Sequence, residues 1–206
     1  MPGDSVYPIE AVTVYAASGA RVDKKFIDHA YDLGAAIARE GWVQVNGGGE
    51  TGLMGAATRG GLDANGIVDC VNLRMFATTN QSKGFRKVYI EDTIQDRKNG
   101  LYERGDAIVA LPGGLGTLDE IAEQMCMRQL QFHTKPIVLI NTNGHYNPIR
   151  DFIRNGEESL FISGGMSQVI HFSDTPADAI QYLKDYKPIT VNKESVNSSE
   201  LNALHQ

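Results

Sequence analysis

The chain has 206 residues, of which 42% are hydrophobic, and its formal net charge at pH 7 is −6. That length suits one compact domain with a full core, and the acidic balance argues against a broad nucleic-acid-binding surface. Two cysteines are too few for a disulfide framework, and no apolar run reaches the roughly 18 residues that a transmembrane helix requires. We therefore expect a cytoplasmic protein without a signal peptide, which acts on a small molecule.

Strand and helix patterns alternate along the chain. Short apolar or β-branched runs predict strands at 11–17, 42–45, 67–73, 88–91, 107–111, 136–141 and 168–172. Apolar residues three or four positions apart predict helices at 26–38, 51–64, 93–104, 118–130, 146–160 and 176–186. In the helix at 146–160, Phe152 and Ile153 are expected to face inward. This alternation with short connections predicts an α/β fold, in which helices cover both faces of a parallel sheet and ligands bind at the carboxyl ends of the strands.

Two stretches lack clear periodicity. Residues 74–87 are predicted to form a mobile surface loop or, equally, a lid over the site. Residues 187–206 are polar and are predicted to be a tail. Residues 1–186 would then form the single domain.

The segment from Leu111 to Glu120, LPGGLGTLDE, combines a turn, an anion cradle and a carboxylate. Its proline ends the preceding strand, and its three glycines leave no side chain between the backbone and a ligand. Amides at the start of the next helix favour a phosphate or a carboxylate, and the hydroxyl of Thr117 adds a donor. Glu120, one turn into the predicted helix, is either a helix-start acid or a catalytic carboxylate.

The run Gly47-Gly48-Gly49 is a weaker signal, because a tight turn chosen for packing explains it equally well. The Lys-Ser/Thr ending of a P-loop does not follow it, so ATP hydrolysis of that type is not supported. The loop Ser18-Gly19-Ala20-Arg21 lacks the G-x-G-x-x-G series of dinucleotide-binding proteins. We therefore expect no nicotinamide or flavin cofactor.

Taken together, GGGETGLMG at 47–55 and PGGLGTLDE at 112–120 resemble the GGGxxGLMG and PGGxGTxxE motifs of the Lonely Guy family. Those proteins are cytokinin riboside 5′-monophosphate phosphoribohydrolases, often labelled lysine decarboxylases. The resemblance covers most of 12–161. Three departures are Ala16-Ala17-Ser18-Gly19 for the usual Cys-Gly-Ser-Ser, Ile94-Gln95-Asp96 for Met-His-Glu, and Met127 for a frequent tryptophan.

The resemblance implies a Rossmann-like, doubly wound parallel sheet and a homodimer. It implies hydrolysis of a purine ribonucleoside 5′-monophosphate to the free base and ribose 5-phosphate, with no metal and no organic cofactor. By the same resemblance, Arg97 and Glu120 are the catalytic residues. The candidates for contacts with the phosphate or the rest of the substrate are Gly113, Gly114, Gly116, Thr117, Gly48, Gly49, Ser18 and Lys98.

The residue types suit that chemistry. Because the transition state resembles an oxocarbenium ion, Glu120 near the ribose can stabilise positive charge or deprotonate water. As a helix-start acid it would contribute only about 0.3 to 1 kcal/mol. Arg97 could hold the phosphate or assist departure of the base, and both roles stay open. Lys98, its neighbour, points elsewhere on the helix, toward the surface.

Two other functions compete with this one. The first is a non-catalytic nucleotide-binding or carrier protein of the same fold. The second is an amino-acid decarboxylase, which needs a lysine that carries the cofactor, and the sequence offers no context for such a lysine.

Overall fold

Strands and helices alternate in the structure, a computed structural model that describes residues 7–19, 21–76, 83–162 and 164–189. The strands of the described residues are β1 (Ala11–Tyr15), β2 (Val43–Asn46), β3 (Ile67–Leu73), β4 (Lys87–Glu91), β5 (Ala107–Ala110), β6 (Ile137–Ile140) and β7 (Ile170–Ser173). The helices are α1 (Lys24–Arg39), α2 (Gly52–Asp63), α3 (Ile94–Arg104), α4 (Leu115–Gln129), α5 (Asn147–Glu158), α6 (Met166–Val169) and α7 (Pro176–Asp185).

The strands form one parallel sheet in the order β4-β3-β2-β1-β5-β6-β7. The chain runs outward from β1 to β4 on one side and then returns to β5, next to β1. Tyr15, the last residue of β1, pairs with Ala110, the last residue of β5. The loops that follow these two strands therefore lie side by side at the topological switch point, where open α/β sheets bind ligands.

Two apolar cores cover the two faces of the sheet. On one face, residues such as Val14 of β1 and Val109 of β5 pack with Leu33 of α1 and Leu183 of α7. The core on the other face joins the sheet to α3, α4 and α5, and includes Tyr15, Val71, Leu101, Ile121 and Ile153. The predicted doubly wound α/β fold is confirmed. Within the described ranges, no helix combines the length and the apolarity needed to cross a membrane.

The start of α4 differs from the prediction. The helix begins at Leu115 rather than at Leu118, so Glu120 lies in its second turn. Leu118, the first residue of the apolar pattern, keeps 37% of its surface exposed. The buried residues of α4 are Thr117, Glu120, Ile121, Gln124 and Arg128. The prediction failed because the apolar residues of this helix are divided between its two sides, with Ile121 buried and Leu118 exposed, while polar residues make up most of its inner side.

Two predictions near the end of the chain are also wrong in detail. Phe152 was expected to face inward but is exposed, because the buried line of α5 runs through Ile149 and Ile153 and a neighbouring residue is turned about 100° away from it. Residues 168 and 169 belong to α6 instead of the last strand, which begins at Ile170.

Two predicted segments lie partly outside the described residues. In the predicted loop at 74–87, residues 74–76 form a 3-10 turn and residue 87 begins β4, while 77–82 lie outside. The lid therefore stays a prediction. In the predicted tail, the carbonyl of Ile189 accepts a hydrogen bond from the guanidinium of Arg128, and residues 190–206 lie outside.

Candidate active site

The amino-terminal end of α4 is open at the switch point. Gly114 precedes the helix and offers no capping side chain, and the first helical hydrogen bond runs from the Leu118 amide to the Gly114 carbonyl at 2.9 Å. No described residue accepts a hydrogen bond from the amides of Leu115, Gly116 and Thr117. These donors and the positive end of the helix dipole favour an anion at this position.

Gly113 allows the side chain of Thr117 to pack against the turn before α4. A Cβ atom at this position would come within 2.1 Å of Thr117 Oγ1, so the glycine lets the threonine pack against the turn. Nε2 of His145 lies 3.3 Å from the Gly113 amide nitrogen and 3.1 Å from the Gly113 carbonyl oxygen. The tautomer of His145 decides which of the two bonds forms. A phosphate contact by Gly113 stays a prediction.

The two predicted catalytic side chains meet beside this cradle. Arg97 of α3 donates from Nη1 to Oε1 of Glu120 at 3.0 Å, and the two side chains are only 17% and 9% exposed. Gly47 makes room for the guanidinium, because a Cβ atom there would lie 2.1 Å from Nη2 of Arg97. Gly47 therefore has a steric role in the site.

The protonation of Glu120 is governed by two opposing effects. Burial raises the pKa of Glu120 above its usual value, whereas the charge and the hydrogen bond of Arg97 lower it. Asp119 adds a smaller raising effect, and Lys98 a smaller lowering one. The net pKa is raised, as in many catalytic carboxylates. The carboxylate therefore holds a proton more readily than a solvated glutamate does, and Arg97 limits this tendency.

Lys98 faces α4 rather than the cradle. Its Nζ lies 3.2 Å from Asp119 and 3.3 Å from Glu123, and its side chain is 11% exposed. The expectation that Lys98 points to the surface is wrong, because the two acids of α4 draw the ammonium group against that helix. Its predicted contact with the substrate stays a prediction.

The amides of the glycine loop after β2 form hydrogen bonds within the protein. The Gly48 amide donates to Oδ1 of Asn46 at 2.9 Å, and the Gly49 amide to Sδ of Met54 at 3.1 Å. Gly48 has a φ of 80°, and a Cβ atom there would lie 2.3 Å from Sγ of Cys70. Close packing therefore requires glycine at position 48, and the substrate contacts of Gly48 and Gly49 stay predictions.

The amino-terminal end of α2 is occupied by the loop after β1. The amides of Leu53 and Met54 donate to the carbonyl of Ala17 at 3.0 and 3.1 Å. Thr51 occupies the capping position but makes no capping bond, since its hydroxyl donates to the carbonyl of Ser18 at 2.7 Å. Ser18 is thereby fixed at the exposed rim of the site. Among the described residues, the amides of Leu115, Gly116 and Thr117 at the start of α4 have no acceptor, whereas those of Leu53 and Met54 in α2 are bonded to Ala17.

Two residues of this region were missed by sequence reasoning. Tyr15 ends β1 on the same side of the sheet as Glu120, and His145 contacts the backbone of the cradle. Their positions directly after or at the ends of predicted strands are the one available signal, and it is a weak signal because many structural residues share it.

A small cavity adjoins the cradle on the α1 side. It measures about 230 Å³ and is lined mainly by apolar atoms of Ala17, Val22, Phe26, Leu53, Pro112, Gly113, Gly114 and His145. Ligand pockets usually measure about 300 to 1,000 Å³. A ligand of nucleotide size would therefore need more space than this cavity alone provides. Nowhere in the described ranges do three or more histidine, cysteine or acidic side chains gather as a metal site would require.

The opposing effects of burial and Arg97 on the pKa of Glu120 lead to a prediction. In Arg97→Met, the pKa of Glu120 should rise above its value in the parent protein, because the charge and hydrogen bond that oppose burial are lost. Lys98→Met should raise it less, and Asp119→Asn should lower it. A carbon-13 NMR titration of the Glu120 carboxyl group measures these shifts. An unchanged pKa in Arg97→Met would contradict the coupling of the two side chains.

Comparisons with known proteins identify a family and several relatives. Residues 54–183 match the family model described as "Possible lysine decarboxylase". A probable cytokinin riboside 5′-monophosphate phosphoribohydrolase of Oryza sativa subsp. japonica is 33% identical over 181 residues, which cover 86% of this chain and 73% of that protein. An Arabidopsis thaliana protein named for the same activity is 32% identical over 86% of this chain and 83% of its own length. One from Rhodococcoides fascians is 33% identical over 75% and 79%.

Solved structures share the fold. The molybdenum cofactor binding protein of Rippkaea orientalis superposes with a TM-score of 0.66 at 23% identity, over 84% of this chain and 94% of that chain. The molybdenum cofactor carrier protein of Chlamydomonas reinhardtii gives 0.66 at 22% identity, over 84% and 95%. At these identities the likeness concerns the fold alone. The family match and the curated relatives go further, and they show that the chain belongs to the Lonely Guy family, whose sequence model carries the lysine decarboxylase description.

Proposed function

We propose that the protein hydrolyses the N-glycosidic bond of a purine ribonucleoside 5′-monophosphate and releases the free base and ribose 5-phosphate. The observation that carries this proposal is the buried Arg97–Glu120 pair directly beside the open end of α4. The curated relatives are named for this reaction on cytokinin riboside 5′-monophosphates, which supports an adenine-type base.

The spacing along α4 suits a phosphorylated ribose. In the proposed complex the 5′-phosphate accepts hydrogen bonds from the amides of residues 115–117 and from the hydroxyl of Thr117. Glu120 follows Gly116 by four residues and Thr117 by three, and such positions share one side of a helix with Cβ atoms about 5 to 6 Å apart. A ribose attached to the bound phosphate can therefore reach the carboxylate of Glu120.

The reaction exchanges the bond from C1′ to the base nitrogen for a bond from C1′ to a water oxygen. The electron pair of the broken bond leaves with the base, which also gains a proton, and C1′ becomes positively charged in the transition state. The Glu120 carboxylate stabilises that charge and accepts the proton of the attacking water. Arg97 favours the ionised form of Glu120 against the effect of burial, and its remaining N–H donors are available to the phosphate or the departing base.

The competing functions explain less of this arrangement. A nucleotide carrier needs the cradle at the start of α4 but has no use for a buried carboxylate with a raised pKa. A decarboxylase needs a lysine that loses its proton readily. Burial alone would lower the pKa of Lys98, but Asp119 and Glu123 outweigh burial and raise it. The lysine nearest to the pair is therefore poorly suited to carry a cofactor as a Schiff base.

Replacing Glu120 tests the reaction directly. The parent protein should release ribose 5-phosphate from adenosine monophosphate or isopentenyladenosine monophosphate. Glu120→Gln should lower kcat/KM by about 10² to 10⁴, because the neutral amide can neither accept the proton nor stabilise the positive charge. Glu158→Gln, at an exposed position near the end of α5, should behave like the parent.

Two results would contradict the proposal. One is a parent protein that releases no ribose 5-phosphate while it still binds adenosine monophosphate in calorimetry, which would favour the carrier. The other is a Glu120→Gln variant with full turnover, which would remove Glu120 from the mechanism.

The cradle predicts competition by simple anions. Inorganic phosphate or sulfate should raise KM for the nucleotide without changing kcat, because the anion would occupy the amides at the start of α4. Thr117→Val, which removes one donor with little change in shape, should weaken this inhibition. Steady-state kinetics at constant ionic strength measure both effects, and turnover that is insensitive to phosphate would contradict the assignment of residues 114–117.

We also propose a homodimer, as the family resemblance implies. Apolar side chains along α4 and just after it are exposed, among them Leu118, Leu130 and Phe132, and a second copy would cover them. Light scattering after size-exclusion chromatography should give twice the chain mass. Leu118→Glu should lower the mass toward the monomer, whereas Phe152→Glu at an exposed position of α5 should not. A monomeric parent would contradict the proposal.

A further inference from the structure

We propose that Tyr15 is a further substrate-binding residue, whose phenolic hydroxyl donates a hydrogen bond to a ribose hydroxyl of the bound nucleotide. This inference rests on the proposed function and extends it to the specificity of the site for the sugar. It is argued from the place of Tyr15 in the sheet, the packing of its ring, and its hydroxyl group.

Tyr15 lies at the centre of the switch point. It is the last residue of β1, it pairs with Ala110 of β5, and its carbonyl accepts the amide of Leu111 at 2.9 Å. The strand order places β2 on one side of β1 and β5 on the other. Gly47, against which Arg97 packs, follows β2, and the cradle follows β5. The end of β1 therefore lies between the cradle and the Gly47 loop against which Arg97 packs.

The ring of Tyr15 packs in the core on the same side of the sheet as the catalytic pair, close enough for the charges of Glu120 and Arg97 to act on its hydroxyl. It belongs to the core on the α3 and α4 side, together with Leu101 and Ile121. Ile121 directly follows Glu120 on α4, and Leu101 follows Arg97 by one helical turn on α3. The helix segments that carry the pair therefore contribute to the same core as the ring of Tyr15.

The hydroxyl of Tyr15 forms no hydrogen bond with a described residue, and it is not one of the fully buried unpaired side-chain atoms, so its oxygen stays accessible although the residue as a whole is only 2% exposed. Buried tyrosine hydroxyls usually have a partner. Two others follow this rule, since Tyr146 donates to the carbonyl of Leu111 and Tyr186 to that of Thr134, both at 2.7 Å. Tyr15 therefore brings an unused polar group to the site, which a bound ligand can satisfy.

The chemistry of the group indicates what it binds. Burial, and next the negative charges of Glu120 and Glu123, raise the pKa of Tyr15, so the phenol stays protonated and can donate. The phosphate already has the donors of residues 115–117. The ring oxygen of the ribose gains positive charge in the transition state and becomes a poor acceptor. The ribose hydroxyls remain, and hydrogen bonds to the 2-hydroxyl strengthen in the transition state of glycoside hydrolysis.

Tyr15→Phe tests this contact, because it removes the hydroxyl and keeps the ring. Kinetics are measured with adenosine monophosphate, its 2′-deoxy analogue and its 3′-deoxy analogue. We expect Tyr15→Phe to lower kcat/KM for adenosine monophosphate about tenfold and to have little effect on the analogue that lacks the contacted hydroxyl. That analogue should already be a poorer substrate of the parent protein by a similar factor.

Tyr182→Phe is the matched control. The Tyr182 hydroxyl also lacks a hydrogen-bond partner among the described residues, but it lies on α7, on the opposite side of the sheet from Glu120. This variant should keep the kinetics of the parent with all three nucleotides. Thermal unfolding of both variants shows whether the loss of a hydroxyl affects the fold.

Calorimetric binding of the three nucleotides separates this inference from the proposed function. If the parent binds them without hydrolysis, the proposed function fails, and a weaker binding by Tyr15→Phe that disappears with one analogue still supports the contact. Tyr15→Phe effects that are equal for all three nucleotides would indicate a structural role and overturn the inference. The absence of any effect would overturn it as well.

Discussion

A carboxylate that is almost completely buried loses most of its hydration, and in this protein the guanidinium of Arg97 takes over part of that role for Glu120. The contact depends on the close approach of α3 and α4 and on the absence of a side chain at Gly47. Lys98 adds a second connection between the same helices through Asp119 and Glu123. The proposed chemistry uses this arrangement because a carboxylate of raised pKa both accepts protons and stabilises a nearby cation.

The two glycine motifs of the chain have different physical roles. The amides at the start of α2 bind the carbonyl of Ala17, so that the first motif fixes the loop after β1. The amides at the start of α4 find no acceptor among the described residues, so that the second motif can receive an anion. An amide N–H group forms a good hydrogen bond with only one acceptor at a time. The internal hydrogen bonds of the first motif therefore reduce its capacity to bind ligands.

The polar inner side of α4 explains why this helix was harder to predict than the others. Its buried positions include Thr117, Glu120, Gln124 and Arg128. Within the described residues, Oε1 of Gln124 and Nε of Arg128 have no hydrogen-bond partner. Buried polar groups stabilise a fold less than apolar ones do, and proteins accept that loss mainly where function requires it. The position of α4 at the switch point gives such a reason.

The sequence by itself determined the alternation of strands and helices, the parallel sheet and the family motifs. The strand at 67–73 was predicted with the bounds that it has, because a long β-branched run between turn residues is a local signal. Tertiary structure alone decided that Arg97 and Glu120, 23 residues apart, form a pair, that the Ala17 carbonyl binds two amides at the start of α2, and that Tyr15 lies in the core on the α3 and α4 side of the sheet. Periodicity records the spacing within one element, whereas these features depend on how the side chains of different elements pack together.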